Sequence, residues 1–113
     1  MEQEKQRVIQ EYVPGKQLTL AHVIANPDRS LYTKLGIEQS NALGILTLTP
    51  TETAIIAADI ATKAADVGIG YLDRFTGSLV IVGEVSAVET AIEAVNDFLR
   101  VKLKFAAAEL TRS

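Results

Sequence analysis

The sequence predicts an α+β domain in which the elements of a ferredoxin-like fold follow one another in a circularly permuted order. Two observations predict this class. From residue 42 onward the pattern reads strand, helix, strand, strand, helix, which lacks only the last strand of the ferredoxin-like order. A nearly continuous apolar segment of strand length precedes it at 18–25. Because chain ends that lie close together permit such a rearrangement, the early segment is assigned to the missing strand.

The first elements are two strands, separated by a turn, and a short helix. Residues 7–12 mix apolar and polar residues of β-prone types, and the turn follows at 13–16 (VPGK). The segment 18–25 (LTLAHVIA) is apolar along most of its length, as is typical of a strand that is covered on both faces. A short helix is predicted over 28–35, and Gly36 ends it.

The central elements are a buried strand and a long helix. Residues 42–48 (ALGILTL) predict the strand. The segment 49–52 (TPTE) places a capping threonine, a proline at the first helical position and a glutamate at the third, which predicts a helix start. Abundant alanine and the absence of Trp predict elements that approach one another closely. The apolar stripe of this helix is expected at Ile56, Ile60, Ala64 and Val67.

A hairpin and a second long helix follow. Residues 69–72 and 79–82 predict strands joined by the turn 73–77, and Ser86 with Glu89 repeats the capping-box pattern. The apolar stripe of the second helix is expected at Val88, Ala91, Ile92, Val95 and Leu99. Beyond Arg100, a terminal strand is favoured by alternation at Leu103, Phe105 and Ala107. Three consecutive alanines keep a helix open as the alternative for this last segment.

Composition excludes several functional classes. The 113 residues, 48% hydrophobic and 22% charged, suit one domain. A formal charge of −3 and a pI near 5.1 argue against nucleic-acid binding, which favours a basic face. Without Cys the chain has no disulfide, thiolate metal site or cysteine nucleophile. A charged N-terminus and interrupted apolar runs predict neither a signal peptide nor a membrane span, so a cytosolic location is expected.

Candidate catalytic groups are isolated from one another. His22 lies in an apolar strand without a Cys, a second His or a Ser motif, so a hydrogen-bonded structural role is favoured over a catalytic base. Asp59, Asp66 and Asp73 recur every seven residues, where a solvated face is favoured over a paired-carboxylate site. The segment 68–70 (GIG) precedes a strand and lacks the third glycine of a dinucleotide-binding fingerprint. We therefore expect no enzyme activity, no cofactor and no metal.

Three stretches of the chain are similar to one known family: VIQEYVPGKQLTLAHVIANP, ALGILTLTPTETAIIAADIATKAADV and GYLDRFTGSLVIVGEVSAVE. They closely resemble the permuted shell proteins of bacterial microcompartments, of the ethanolamine- and propanediol-utilisation type, from about Arg7 to Arg112. VPGKQ before TLAHVIANP, and LDRFTG before a GEVSAV helix entry, make the resemblance specific. It implies a non-enzymatic homohexamer in the bacterial cytoplasm that tiles with other shell proteins and encloses an aldehyde-generating pathway.

The resemblance also implies which residues surround the centre of the ring. The hairpin would face the sixfold axis and line its opening with Asp73, Arg74, Phe75, Thr76 and Gly77. Residues 1–14 would form an N-terminal strand and turn ahead of the permuted shell domain at 15–113. Six such strands would close into a parallel barrel over the opening through Val8, Ile9, Gln10, Glu11 and Tyr12. Such a barrel removes free strand edges and offers a docking point for a cargo or partner peptide.

At the outer edge of the ring, the resemblance implies a weaker contact than the family usually has. Lys63 matches the lysine that shell domains place where hexamers meet. Its partner arginine is replaced by Asn26, which has neither the charge nor the planar fork of arginine. Asn41 stands where a glycine would allow an easy bend, so a bent hexamer is less expected.

Some alternatives stay open from sequence. Arg74 either stiffens the hairpin by pairing with Asp73 or presents a charge to the axis of a ring. Tyr12 and Phe75 are either interface aromatics, which is favoured, or local packing. The functional alternative to a shell subunit is a ring-forming small-molecule sensor, because ferredoxin-like domains that form rings also bind metabolites between subunits.

Overall fold

The computed structural model describes residues 17–102 and 110–113. Its strands and helices follow the predicted order, with one short strand added near the end. They are β1 (Gln17–Ala25), α1 (Arg29–Leu35), β2 (Ala42–Thr49), α2 (Thr53–Ala64), β3 (Gly68–Asp73), β4 (Ser78–Gly83), α3 (Val85–Lys102) and β5 (Thr111–Arg112). The predicted N-terminal strand at 7–12 and the alternation at Leu103, Phe105 and Ala107 lie outside the described residues.

The strands form a five-stranded sheet in the order β3-β4-β2-β1-β5. Neighbouring strands are antiparallel except for β1 and β5, which run parallel. β1 begins, β2 ends and β4 begins at the same end of the sheet, which also carries the β3–β4 turn; we call it the hairpin end. At the opposite end, which we call the distal end, Ala25 pairs with Ala42 and Ala42 with Gly83.

Helices α2 and α3 cover one face of the sheet and bury the core. The predicted stripe of α3 is confirmed, because all five residues are fully buried. They meet inward-facing strand residues, among them Leu46, Leu48, Leu79 and Ile81. A Cβ at Gly44 would lie 2.8 Å from side-chain atoms of Ile81 and of Val88. The missing side chain at Gly44 therefore allows α3 to pack directly on β2.

The buried face of α2 differs from the predicted stripe. Its buried side chains are small: Thr53, Ala54, Ala57, Ala58 and Ala61. Ile56 is 43% exposed and Ala64 is exposed, whereas Ile60 and Val67 pack on the core only in part. Because alanine adds little bulk, this face allows the helix to approach the sheet closely, and the larger isoleucines are left outside. The expected close packing is confirmed, and the expected stripe was wrong.

Both predicted capping boxes are displaced along the chain. Thr49 pairs with Gln17 as the last residue of β2, so its backbone belongs to the sheet and α2 begins only at Thr53. The second long helix begins at Val85, which places Ser86 inside its first turn instead of before it. In both cases the capping motif lies within three residues of the true start, and the strand that precedes the helix decides where it begins.

The short helix α1 has the ends that the sequence predicts. Asp28 accepts a hydrogen bond from the Ser30 N–H at 2.9 Å, and Gly36 ends the helix with a left-handed φ of 71°. Tyr32 is buried and donates from its hydroxyl to the carbonyl oxygen of Ser40 at 2.7 Å. This hydrogen bond ties α1 to the segment that leads into β2.

Candidate functional site

The β3–β4 turn is organised by one carboxylate. Asp73 Oδ1 accepts hydrogen bonds from the N–H of Phe75 at 2.9 Å and of Thr76 at 3.4 Å, and the Tyr71 hydroxyl donates to Oδ2 at 3.3 Å. The bond from the Phe75 N–H is the main cause that lowers the pKa of Asp73 below its ordinary value. The charge of Asp73 in turn raises the pKa of Tyr71. Asp73 is therefore ionised at neutral pH and fixes the shape of the turn.

The turn closes against the end of β2. Gly77 has a φ of 79°, which glycine adopts without steric penalty, and its N–H donates to the carbonyl oxygen of Asp73 at 2.9 Å. A Cβ at this position would collide with the carbonyl oxygen of Leu48, whose N–H donates to the Gly77 carbonyl oxygen at 2.9 Å. Both the positive φ and the close approach of β2 require glycine here.

An aromatic ring and a cation project from the tip of the hairpin. Phe75 is 75% exposed, and the Arg74 guanidinium carbon lies 4.6 Å from its ring centroid. No ion pair between described residues joins Arg74 to Asp73, whose oxygens accept from Tyr71 and the turn amides. The stiffening pair considered from sequence is thus absent from the described hairpin. Tyr12, the other aromatic considered there, lies outside the described residues.

The residues expected at the ring edge lie at the distal end. Lys63 is in the last turn of α2 and forms an exposed ion pair with Asp59 at 3.0 Å. Asn26 directly follows β1 with a φ of 51°, and its N–H donates to the carbonyl oxygen of Asn41 at 2.8 Å. The length of the sheet therefore separates these residues from the hairpin at 73–77.

An exposed apolar surface runs along β3, a strand that pairs on one side only within residues 17–102 and 110–113. Ile69, Tyr71 and Leu72 are 46%, 48% and 38% exposed. A cavity of about 380 Å³ opens beside this edge, on the face away from α2 and α3, and is lined by Lys34, Leu35, Ile37, Tyr71 and Val80. We call the β3 edge and this cavity together the β3 flank. Tyr71 faces the cavity, whereas Ile69 and Leu72 lie opposite buried core residues of β4 and so face the side of the sheet that carries the helices. Exposed apolar side chains at a sheet edge are typical of an interaction site.

Potential catalytic side chains do not converge within the described part of the chain. There, no three His, Asp or Glu side chains are grouped to hold a metal ion, and no helix has the length and apolar character needed to cross a membrane. Asp66 lies beyond the end of α2, so it shares no helix face with Asp59. The His22 ring is hydrogen bonded through Nδ1 to Thr111 at 2.5 Å and through Nε2 to Ser113 at 2.8 Å. The His22 ring is thus hydrogen bonded, as the structural role favoured from sequence requires.

Comparison with known proteins shows the family. The model of the BMC domain matches residues 42–111. This chain belongs to the BMC domain family. It is 56% identical to the bacterial microcompartment shell protein PduU of Salmonella typhimurium over 95% of this chain and 93% of PduU. It is 54% identical to the shell protein EutS of Escherichia coli K12, over 97% of this chain and 99% of EutS. The resemblance stated from the sequence is thus confirmed.

A solved relative shows the fold in an assembled state. The BMC domain described above is similar to a flat hexamer of CutR with a TM-score of 0.86 and 50% identity, over 96% of this chain and 100% of that chain. PduU and EutS are both named as shell proteins. None of these relatives supports the small-molecule sensor considered from sequence, which rested on fold analogy alone.

Two features of this BMC domain were missed from sequence. The first is the β3 flank, where Tyr71 is the single aromatic residue of β3. The second is the contact of β5 with β1. Its sequence signal is the pair of hydroxyl residues Thr111 and Ser113, two positions apart as on one face of a strand. Neither signal identifies its partner, because both partners lie far away in sequence.

Proposed function

We propose that this protein is a non-enzymatic shell subunit of a bacterial microcompartment in the bacterial cytoplasm. It would act as a homohexamer that tiles with other shell proteins around an aldehyde-generating pathway, such as the use of ethanolamine or propanediol. The similarity to PduU and EutS along almost the whole chain carries this proposal. Light scattering tests it, since six copies of a 12.2 kDa chain are expected in solution. A monomer at micromolar concentration contradicts it.

The order of elements supports a circularly permuted domain. The BMC domain model begins at residue 42, where β2 begins, yet β1 lies inside the sheet between β2 and β5. Counted from β2, the chain supplies strand, helix, strand, strand, helix, and β1 completes the ferredoxin-like pattern from the N-terminal side. We assign residues 15–113 to this permuted domain and 1–14 to an N-terminal strand and turn.

We place the hairpin at the sixfold axis. The residues that would surround the opening are Asp73, Arg74, Phe75, Thr76 and Gly77. β1 begins at the hairpin end, so the chain that precedes Gln17 joins the fold at the end of the sheet that carries the hairpin. This position supports a barrel over the axis, built from six copies of Val8, Ile9, Gln10, Glu11 and Tyr12. A cargo or partner peptide would dock inside that barrel.

We expect deletion of residues 1–13 to leave the ring assembled and to open its axis, because the described sheet and its covering helices begin only at Gln17. Light scattering measures the mass of the ring, and averaged electron micrographs show whether density covers the centre. Deletion of residues 1–5, which keeps the segment 7–12, is the matched control and should retain the central density. Loss of folding on the longer deletion would place this strand in the main core and contradict the cap.

We expect Lys63→Ala to weaken the tiling of rings without changing the ring itself. The side chain is 76% exposed at the distal end and contacts Asp59 through a surface ion pair, which contributes about 0–1 kcal/mol to stability. Sheet formation is followed by electron microscopy and the ring by light scattering. Arg100→Ala is the matched control, because it removes an exposed ion pair with Asp97 near the end of α3. Unchanged sheets with Lys63→Ala would show that other residues hold the edge.

The β3 flank is the proposed contact between neighbouring subunits of the ring. A closed ring requires each subunit to present two different surfaces, one to each neighbour. The outer edge of β1 pairs with β5 at His22 and Val23, whereas β3 ends the sheet on the other side among the described residues. Its exposed Ile69, Tyr71 and Leu72 supply apolar surface on this side, as the centre of a stable interface requires.

A further inference from the structure

The last residues of the chain occupy the outer edge of β1 as an added parallel strand. The Ser113 N–H donates to the carbonyl oxygen of Val23 at 2.9 Å, and the Ala25 N–H donates to the carbonyl oxygen of Ser113 at 3.2 Å. In the same register His22 lies opposite Thr111. Main-chain pairing of this kind is how an exposed sheet edge binds an extended peptide.

The side chains of the C-terminal tetrapeptide, residues 110–113, alternate between two sets of partners. Thr111 and Ser113 contact the ring of His22 at 2.5 and 2.8 Å. Arg112 Nε donates to Glu89 Oε2 on α3 at 2.5 Å, and this hydrogen bond raises the pKa of Arg112. Leu110 packs on the edge of the hydrophobic core. All four side chains of the tetrapeptide therefore contact the rest of the domain, although the last three are exposed.

His22 distinguishes the two hydroxyls by their hydrogen-bonding roles. The Thr111 hydroxyl donates to the carbonyl oxygen of Ala21 at 3.2 Å, so it accepts from the Nδ1–H of a neutral His22. The Nε2 of that tautomer then accepts from the Ser113 hydroxyl. This tautomer is assigned from the hydrogen-bond network. The site therefore selects a hydroxyl residue, a cation and a second hydroxyl residue in an extended chain.

We propose that the outer edge of β1, with His22 and Glu89, is a peptide-binding site for the sequence Leu-Thr-Arg-Ser, and that neighbouring copies exchange their C-terminal tetrapeptides through it. The contacts described above are all made by residues 110–113, so the tetrapeptide of a second copy restores them. Among residues 110–113 only Leu110 is buried in part, so release of the tetrapeptide itself exposes little apolar surface.

Chain length and local concentration support exchange. Residues 103–109 connect α3 to the tetrapeptide, and seven extended residues span up to about 24 Å. Within an assembly, the tetrapeptide of a neighbour is present at an effective concentration on the order of millimolar. Exchange therefore competes with binding inside one chain and links subunits without a new interface. The proposal depends on the proposed ring only in that it needs a second copy nearby.

A disulfide trap tests the exchange without background, because the chain has no Cys. His22→Cys is made in a chain with an affinity tag, Thr111→Cys is made in an untagged chain, and the two are coexpressed and oxidised. When each chain keeps its own C-terminus, each new sulfur faces a native side chain. Only exchange brings position 22 of one chain to position 111 of the other. We expect a mixed dimer on non-reducing gels, at least tenfold above the control pair.

The control pair is His22→Cys with Thr76→Cys, since Thr76 is exposed at the hairpin, away from the site. The double variant His22→Cys/Thr111→Cys shows whether the geometry permits the bond. If that variant closes a disulfide within one chain and the coexpressed single variants give no dimer above control, exchange is wrong. If it closes none, the contact itself is contradicted.

A second pair keeps His22 intact if its replacement disturbs folding. This pair is Glu89→Cys in one chain and Arg112→Cys in the other, coexpressed and joined by a short bismaleimide linker. It tests the contact that the opposite face of β5 makes with α3. The ring mass is measured on each sample. If the variants form a hexamer but give no mixed dimer, exchange is refuted and the proposed function still stands. If the unmodified protein does not form a hexamer, the proposed ring itself is refuted.

Discussion

Replacing Ile92 with alanine is expected to lower the free energy of unfolding by about 3–4 kcal/mol. Ile92 is fully buried in α3, and its Cδ1 lies 2.9 Å from where a Cβ at Gly44 would stand, so it fills the space between α3 and β2. The truncated side chain leaves a cavity that the rigid, closely packed surroundings fill only in part. Chemical denaturation followed by circular dichroism measures the change.

The matched control for Ile92→Ala is Val101→Ala on the same helix. Val101 is 52% exposed, so we expect a change below about 1 kcal/mol. Both variants are compared at one chain concentration, because the stability of an assembled protein depends on it. Equal losses at the two positions would show that α3 does not form the core through the face assigned to it.

Leu72→Glu is expected to convert the ring into single chains. Leu72 is 38% exposed on the β3 edge, and the added carboxylate would have to be buried without a partner when a neighbouring subunit covers this edge. An uncompensated charge in an interface costs several kcal/mol, which opposes the subunit contact. Light scattering should show the mass falling from six chains to one, while circular dichroism shows a folded chain.

The matched control for Leu72→Glu is Thr62→Glu, which adds the same charge at an exposed position of α2. We expect the mass of its ring to be unchanged. A Leu72→Glu protein that remains hexameric would remove the β3 flank from the subunit contact. The proposed family function would survive that outcome, because another surface would then hold the ring.

Much of the fold was predictable because local signals agree with the packing. The α3 stripe at every third or fourth residue is fully buried, and α1 ends at Gly36 as expected. The stripe of α2 was predicted wrongly because periodicity treats large apolar residues as buried, whereas a close approach to the sheet selects alanines such as Ala57. The helix starts were misplaced because ladder pairing keeps Thr49 in β2.

The candidate sites, like the fold, were predictable from the sequence only in part. The hairpin was predictable as a turn, and its residues from Asp73 to Gly77 followed from family resemblance. The stack of Arg74 on Phe75 and the carboxylate contacts of Asp73 depend on backbone directions that sequence does not specify. The barrel cap at 8–12, the axis residues and the edge contacts of Lys63 and Asn26 stay predictions.

By itself, the sequence determined the element order, the α3 core face and membership in a family of shell proteins, because these depend on local spacing and on motifs that lie within single segments. Only the tertiary structure decided which surfaces remain open and which are covered. The β3 flank and the hydrogen bonds of His22 to Thr111 and Ser113 bring together residues up to 91 positions apart. Such contacts depend on the order of the strands in the sheet. A local sequence pattern does not specify which distant strand pairs with a given edge.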